Sequence, residues 1–116
     1  MSVEKVIQDG NVLLQENGET VASIGGRLEE GSLILSLQGM LRADVMAYLH
    51  NELDFYASAG LPGVRVDCSK ITGIAPGCFL ELLSLKAKLL AQDSRIQFEN
   101  KSDALLKFEK RSGKTL

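Results

Sequence analysis

The sequence has few of the residues on which catalytic and metal sites usually depend. It contains one histidine, two cysteines and no tryptophan. A zinc site needs several His, Cys or acidic ligands at short spacing, and Cys68 and Cys78 do not form a C-x-x-C motif. His50 lies among the polar neighbours Asn51 and Glu52, which favours a solvated side chain over a general base. We therefore expect no enzymatic activity, no metal site and no cofactor.

Long apolar segments and an excess of positive charge are also missing. No apolar run is long enough to cross a bilayer, and the N-terminus lacks the basic and apolar pattern of a secretion signal. The 13 Lys and Arg residues stand against 15 Asp and Glu residues, which gives a net charge of -2. Binding to nucleic acid phosphates needs clustered basic side chains. These features predict a cytoplasmic protein with free thiols, no membrane insertion and no nucleic acid partner.

The first third of the chain carries the turn signals of a β-meander. With 116 residues, of which 45% are hydrophobic, the chain is long enough for one domain with a real core. Asn17-Gly18, Glu30-Gly31 and the turn near Gly10 separate four short segments. Residues 33–38 alternate most regularly and give the best strand. We therefore predict four antiparallel strands before the first helix.

Helices and strands alternate in the rest of the chain. Residues 43–59 carry apolar side chains at helical spacing, and Gly60 follows them as a cap. Residues 64–68 and Arg95–Glu99 each alternate apolar and polar side chains, which is typical of strands with one polar face. A last helix begins at Ser102 and ends at Gly113. The pattern predicts an α+β fold, a mixed sheet with helices packed mainly on one face.

Residues 64–92 predict a strand, a tight loop and a long helix around which the other elements are organised. Pro76 suits the first helical turn because it has no N–H to leave unpaired. One narrow stripe of the helix is polar and consists of Glu81, Ser84, Lys88 and Gln92. Because nearly all its other side chains are apolar, the helix should be buried along its length. The loop at its N-terminus, residues 75–78, is then the expected functional surface.

Three segments resemble the STAS domain of anti-sigma factor antagonists: GMLRADVMAYLHNELDFYASAG, VRVDCSKITGIAPGCFLELLSLKAKLL and RIQFENKSDALLKFEKRSG. The landmarks are Gly39 with Leu41, Val66-Asp67, Ile74 and the leucine-rich helix from Phe79. The resemblance extends over residues 20–113. It implies an N-terminal β-hairpin extension at residues 1–18 and a STAS-like domain at residues 19–116.

The central loop departs from the family pattern. In anti-sigma factor antagonists it reads Asp-Ser-Ser-Gly, and phosphorylation of the second serine by an anti-sigma factor kinase breaks the partner complex. Here the four positions are Ala75, Pro76, Gly77 and Cys78, so Gly77 stands at the acceptor position. Arg42 stands where the family commonly has an aspartate. The resemblance therefore implies a STAS-like module without the phosphoserine switch.

The resemblance implies a non-enzymatic regulator that binds an anti-sigma factor or a related regulator through residues 75–82. The expected contact residues are Arg42, Ala75, Pro76, Gly77, Cys78 and Phe79. One alternative is a STAS-like accessory subunit of an ABC-type phospholipid transport system, whose partner would be an ABC ATPase. Another is a thiol-based sensor, in which the positive end of the helix lowers the pKa of Cys78. A homodimer is also left open.

Overall fold

A computed structural model of the chain describes residues 4–9, 11–58, 63–91 and 95–116. Within these residues, six strands form one sheet, and their order in the sheet is their order in the sequence. The elements are β1 (Glu4–Gln8), β2 (Asn11–Glu16), β3 (Glu19–Glu29), β4 (Ser32–Leu41), α1 (Ala43–Ser58), β5 (Gly63–Ile74), α2 (Pro76–Ala91), β6 (Arg95–Glu99) and α3 (Asp103–Ser112). The predicted α+β class is confirmed.

Strands β1 to β4 form the predicted antiparallel meander. Asn17 and Gly18 have φ angles of 55° and 80°, and Glu30 and Gly31 have 52° and 81°. Two successive positive φ angles are the signature of the tight hairpin turns whose twist matches that of the strands. The predicted turn glycine Gly10 and the helix cap Gly60 lie outside the described residues.

Strands β4, β5 and β6 run parallel, and α1 and α2 connect them across one face of the sheet. On β5, Val64, Val66 and Cys68 are buried in the core that the helices share, whereas Arg65 on the opposite face is exposed. Apolar and polar side chains alternate along β5 because helices cover only one face of the sheet. The predicted placement of helices mainly on one face is thus confirmed.

Strand β5 is longer than the sequence predicted. It continues past Cys68 to Ile74, pairing with β4 through two register shifts, at Ser36/Gln38 and Gly39/Met40. The irregularity breaks the alternation of side chains, since Ser69 and Lys70 are both exposed before Ile71 is buried. The prediction that this strand ends at residue 68 was wrong. Where the alternation of buried and exposed side chains is interrupted, the sequence resembles that of a loop.

Helix α2 begins at Pro76, as predicted, but it is not buried along its length. Its buried face consists of Cys78, Phe79, Leu82, Leu85 and Leu89. Leu80 and Leu90 leave 50% and 65% of their surface exposed. The prediction was wrong because the sheet and the neighbouring helices cover only part of the circumference of α2.

Helix α3 has the boundaries that its sequence signals predict. The Ser102 side chain accepts a hydrogen bond from the Leu105 N–H at 3.2 Å, and Gly113 closes the helix with a φ angle of 72°. The Ser102 N–H also donates to the Cys68 carbonyl oxygen at 3.2 Å. This bond fixes α3 beside the second half of β5, beyond the end of β6.

Candidate protein-interaction site

The connection between β5 and α2 consists of one residue, Ala75. Its N–H donates to the Leu41 carbonyl oxygen at 3.0 Å, and its own carbonyl oxygen accepts from the Phe79 N–H at 3.1 Å. Both ends of the connection are therefore held by backbone hydrogen bonds. The first turn of α2 is thus fixed beside the end of β4, where α1 begins.

Only some of the six predicted contact residues reach the surface. Ala75 is half-buried, and Pro76 and Gly77 are exposed. Cys78 and Phe79 keep only 3% and 1% of their surface exposed. A partner cannot touch these last two side chains without repacking the core, so we call Ala75, Pro76 and Gly77 the junction surface.

Gly77 lies at the most open point of the junction surface. A Cβ atom built on it would meet no atom within 4 Å. The backbone amides near a helix N-terminus favour negative charge. A larger or acidic side chain therefore fits at this position without disturbing the fold.

Arg42 is already paired within the chain. Its Nη2 atom lies 2.9 Å from Asp44 Oδ2 and 3.1 Å from Glu16 Oε2. The hydrogen bonds from Arg42 lower the pKa of the Asp44 carboxyl group, and those to Asp44 and Glu16 raise the pKa of Arg42. Sequence reasoning missed both carboxylates; Glu16 belongs to β2 and is far away in the chain. Arg42 thus offers a partner an ion-pair cluster rather than a free positive charge.

The predicted low pKa of Cys78 was wrong. Burial raises the pKa of its thiol, and the negative charges of Glu81 and Asp44 raise it further. Burial raises the pKa of Cys68 to about 12, with a further contribution from Asp67. A thiol sensor needs an accessible thiolate, so the geometry removes the basis for a sensor at Cys78.

We expect iodoacetamide to modify Cys78 at least about tenfold faster than Cys68 in the native protein, although both react slowly. Local opening of the first turn of α2 exposes Cys78, whereas Cys68 requires opening of the central sheet. Mass spectrometry of the two cysteine peptides over time measures both rates, and Cys78→Ser should remain folded. Equal rates would contradict this difference in protection.

A shallow depression of about 390 Å³ adjoins the junction surface on the side of α3. Its walls include Ile74, Pro76, Phe108 and Arg111. The centroids of the Phe108 and Phe79 rings lie 4.8 Å apart, and this contact links α3 to the first turn of α2. Sequence reasoning missed this contribution because α3 reaches the site only through tertiary packing. The depression adds apolar surface and the Arg111 cation on the side of Pro76.

The His50 side chain keeps 35% of its surface exposed and also contacts two carboxylates that the sequence did not predict as partners. Its ring nitrogens lie 3.3 Å from Asp54 Oδ2 and 3.6 Å from Glu81 Oε1, so it bridges α1 and α2.

Among the residues that the structure describes, no group of three or more His, Cys, Asp or Glu residues could hold a metal ion. None of the described helices is long and apolar enough to span a membrane.

Comparison with protein families identifies the domain family to which the chain belongs. A family model described as "Mlab, STAS domain" matches residues 24–113. This chain belongs to the STAS domain family. In this STAS domain, the matched residues include the whole of α2 and the Ala75 connection before it. No curated protein matches the sequence.

Solved structures similar to this STAS domain include anti-sigma factor antagonists. The antagonist from Mycobacterium paratuberculosis is 13% identical with a TM-score of 0.66, and the match covers 79% of this chain and 78% of that chain. The antagonist SpoIIAA in its unphosphorylated form is also 13% identical with a TM-score of 0.66, covering 78% and 80%. Mglu is 20% identical with a TM-score of 0.61, and the match covers 69% of this chain but only 20% of Mglu. At these identities the likeness establishes the fold alone.

Proposed function

We propose that this STAS domain is a non-enzymatic regulatory module that binds a protein partner through its junction surface. The proposed partner is an anti-sigma factor or a related regulator, in cytoplasmic signalling that controls transcription. The observation that carries the proposal is the exposure of Pro76 and Gly77 on a rigid connection. Residues on a well-supported turn can contact a partner with little loss of conformational entropy.

We infer that the module works without a phosphoserine switch at this surface. Ala75, Pro76 and Gly77 have no hydroxyl group, and Gly77 stands at the family's acceptor position. A kinase acting on the junction surface would therefore find no group to modify. Control of binding then does not act through a phosphate on Ala75, Pro76 or Gly77.

The proposed contact set divides into two layers. Ala75, Pro76 and Gly77 touch the partner together with the ion-pair cluster of Arg42. Cys78 and Phe79 act from beneath by packing the first turn of α2 into the core. Polar and charged groups at the rim of such an interface mainly determine association rate and partner choice.

We expect Gly77→Asp to weaken partner binding at least about tenfold, a cost of roughly 1.4 kcal/mol. The carboxylate adds a negative charge among Ala75, Pro76 and Gly77, which carry none, while the amides at the start of α2 keep the fold tolerant of it. The partner is first recovered by co-purification with the wild-type chain from its native host, and its affinity is then measured by calorimetry with purified components. The thermal midpoint should remain close to that of the wild type.

Gly77→Ala provides the matched control because it adds a side chain at the same position without charge. It should bind the partner nearly as well as the wild type. The proposal fails if Gly77→Asp binds normally while a substitution in the β1–β2 hairpin abolishes binding. In that case the hairpin would be the interface.

A second candidate is an accessory subunit of an ABC-type phospholipid transport system. The matching family model is named for Mlab, whereas the solved neighbours are named for anti-sigma factor antagonists. Both names are compatible with a STAS domain that binds proteins. Co-purification distinguishes the two functions, because the first predicts a histidine-kinase-like ATPase and the second predicts an ABC ATPase.

We further infer that residues 1–18 are an extension to a STAS domain formed by residues 19–116. In support, the family match begins at residue 24, within β3. The hairpin still contributes to the domain, since Leu14 is fully buried and Glu16 pairs with Arg42. Removing it should therefore affect stability as well as the surroundings of the junction surface.

A further inference from the structure

A groove of about 380 Å³ runs along β6 at the edge of the sheet. Leu90, Phe98 and Leu116 supply its apolar lining, and Leu90 leaves 65% of its surface exposed. The groove adjoins the last turns of α2, about 20 Å along the helix axis from Gly77. It is therefore a surface separate from the junction surface.

Strand β6 is the last strand of the sheet and pairs with β5 alone. An edge strand presents unpaired N–H and C=O groups along its free side. Within the described residues, no backbone hydrogen bond joins another segment to β6. Leu116 lies near the strand, but its N–H donates to Glu109 Oε2 at 2.7 Å rather than to β6. The free side of β6 is therefore open to another strand.

The sequence of β6, Arg-Ile-Gln-Phe-Glu, is complementary to itself in the antiparallel direction. If two copies pair about Gln97, Arg95 of each copy lies opposite Glu99 of the other on the helix-free face. Ile96 of each copy then lies opposite Phe98 of the other on the helix-covered face. A parallel arrangement would instead place identical charges side by side. The charge pattern therefore selects a second copy in a two-fold antiparallel pairing.

The charges needed for this pairing are available. Arg95 is exposed, and it makes no ion pair with another described residue. On the same face, Glu99 accepts from Arg65 through both carboxylate oxygens: Nε donates to Oε1 and Nη2 donates to Oε2, each at 2.9 Å. A carboxylate has room for more than one cationic donor, so Arg95 of the second copy can join this pair.

We propose that β6 is a self-association edge through which two copies of this chain form an antiparallel dimer with one continuous sheet. This goes beyond the proposed function because it uses a different surface and a different partner. The pairing is five residues long, and its apolar contribution comes from Leu90 and the groove beside it. An interface smaller than the standard size of about 1,600 Å² should give a weak dimer, with a Kd of about 10–100 µM.

Sedimentation velocity of the whole chain over about 5–500 µM tests the proposal around the expected Kd. The wild type should change from monomer to dimer within this range. Arg95→Glu removes two opposite-charge pairs and creates two like-charge pairs, so its Kd should rise at least about tenfold. Lys107→Glu makes the same change of charge at an exposed position on α3 and should leave the Kd unchanged. Circular dichroism verifies that both variants fold.

A mixture of variants tests the register. Arg95→Glu and Glu99→Arg should each be largely monomeric alone, but their equimolar mixture should dimerise because both contacts again join opposite charges. Recovery in the mixture supports antiparallel pairing about Gln97. The proposal is overturned if the wild type stays monomeric, if Arg95→Glu dimerises normally, or if the mixture does not recover. If the wild type is monomeric, a strand of another protein becomes the alternative occupant of the free side of β6.

Gly77→Asp should dimerise like the wild type, because the junction surface lies far from β6. Loss of partner binding by Gly77→Asp with normal dimerisation would support the proposed function independently. Failure of either proposal can therefore be recognised without reference to the other.

Discussion

Gly39→Ala should lower the free energy of unfolding by about 3 kcal/mol or more. Gly39 has a φ angle of 94°, which L side chains rarely adopt. Its Cβ would fall on the Val21 carbonyl oxygen and 2.8 Å from the Ala22 Cα atom. Both atoms belong to the backbone of β3, which pairs with β4 at this point, so neither can move away easily. The loss is large against the roughly 5–15 kcal/mol that stabilise a typical domain.

Urea unfolding followed by circular dichroism measures this loss, and Gly77→Ala is the matched control. Gly77 lies in the first turn of α2, and a Cβ there meets no atom within 4 Å. Alanine also favours a helix over glycine by up to about 1 kcal/mol. Gly77→Ala should therefore be as stable as the wild type or more stable. A Gly39→Ala variant with wild-type stability would show that β3 and β4 can separate at little cost.

Phe79→Ala should lower the free energy of unfolding by about 3–5 kcal/mol. Only 1% of the surface of Phe79 is exposed, and the centroid of its ring lies 4.8 Å from that of Phe108. The truncation leaves a cavity beneath the first turn of α2 and removes the contact that links it to α3. The same urea titration measures the effect.

Phe79→Leu separates the role of Phe79 in packing from a direct contact with the partner. A smaller apolar side chain retains most of the buried volume and should cost less than about 1.5 kcal/mol. We expect this variant to bind the partner nearly as tightly as the wild type. A folded Phe79→Leu variant that has lost binding would show that the aromatic ring itself is recognised.

The elements that were predicted well are those whose signals lie within their own sequence. The alternation of Arg95–Glu99 and the caps Ser102 and Gly113 define β6 and α3 without reference to other parts of the chain. The second half of β5 was missed because its side-chain pattern is interrupted by pairing irregularities opposite Gln38 and Gly39. Such irregularities depend on the neighbouring strand, so the sequence of β5 alone does not reveal them.

The residues proposed for the candidate site could be selected from the sequence, but their exposure and their contacts could not. Family resemblance located residues 75–78, and the backbone bond from Ala75 to Leu41 then explains why this junction lies beside α1. The burial of Cys78 and the pairing of Arg42 with Glu16 depend on elements that meet only in the folded chain. No local pattern reports such contacts. The exposure of each proposed contact residue therefore had to come from the structure.

The order of the strands in the sheet also bears on how the chain folds. Every pairing in the sheet joins two strands that follow each other in the sequence, so no pairing has to wait for a distant segment. Closing short loops costs less entropy than closing long ones, and chains with local contacts fold faster. The β1–β4 meander can therefore form while the rest of the chain is still being synthesised, and each later helix and strand can add to an existing edge. The growing edge presents unpaired backbone groups at each stage, and it remains open along the free side of β6 when the sheet is complete.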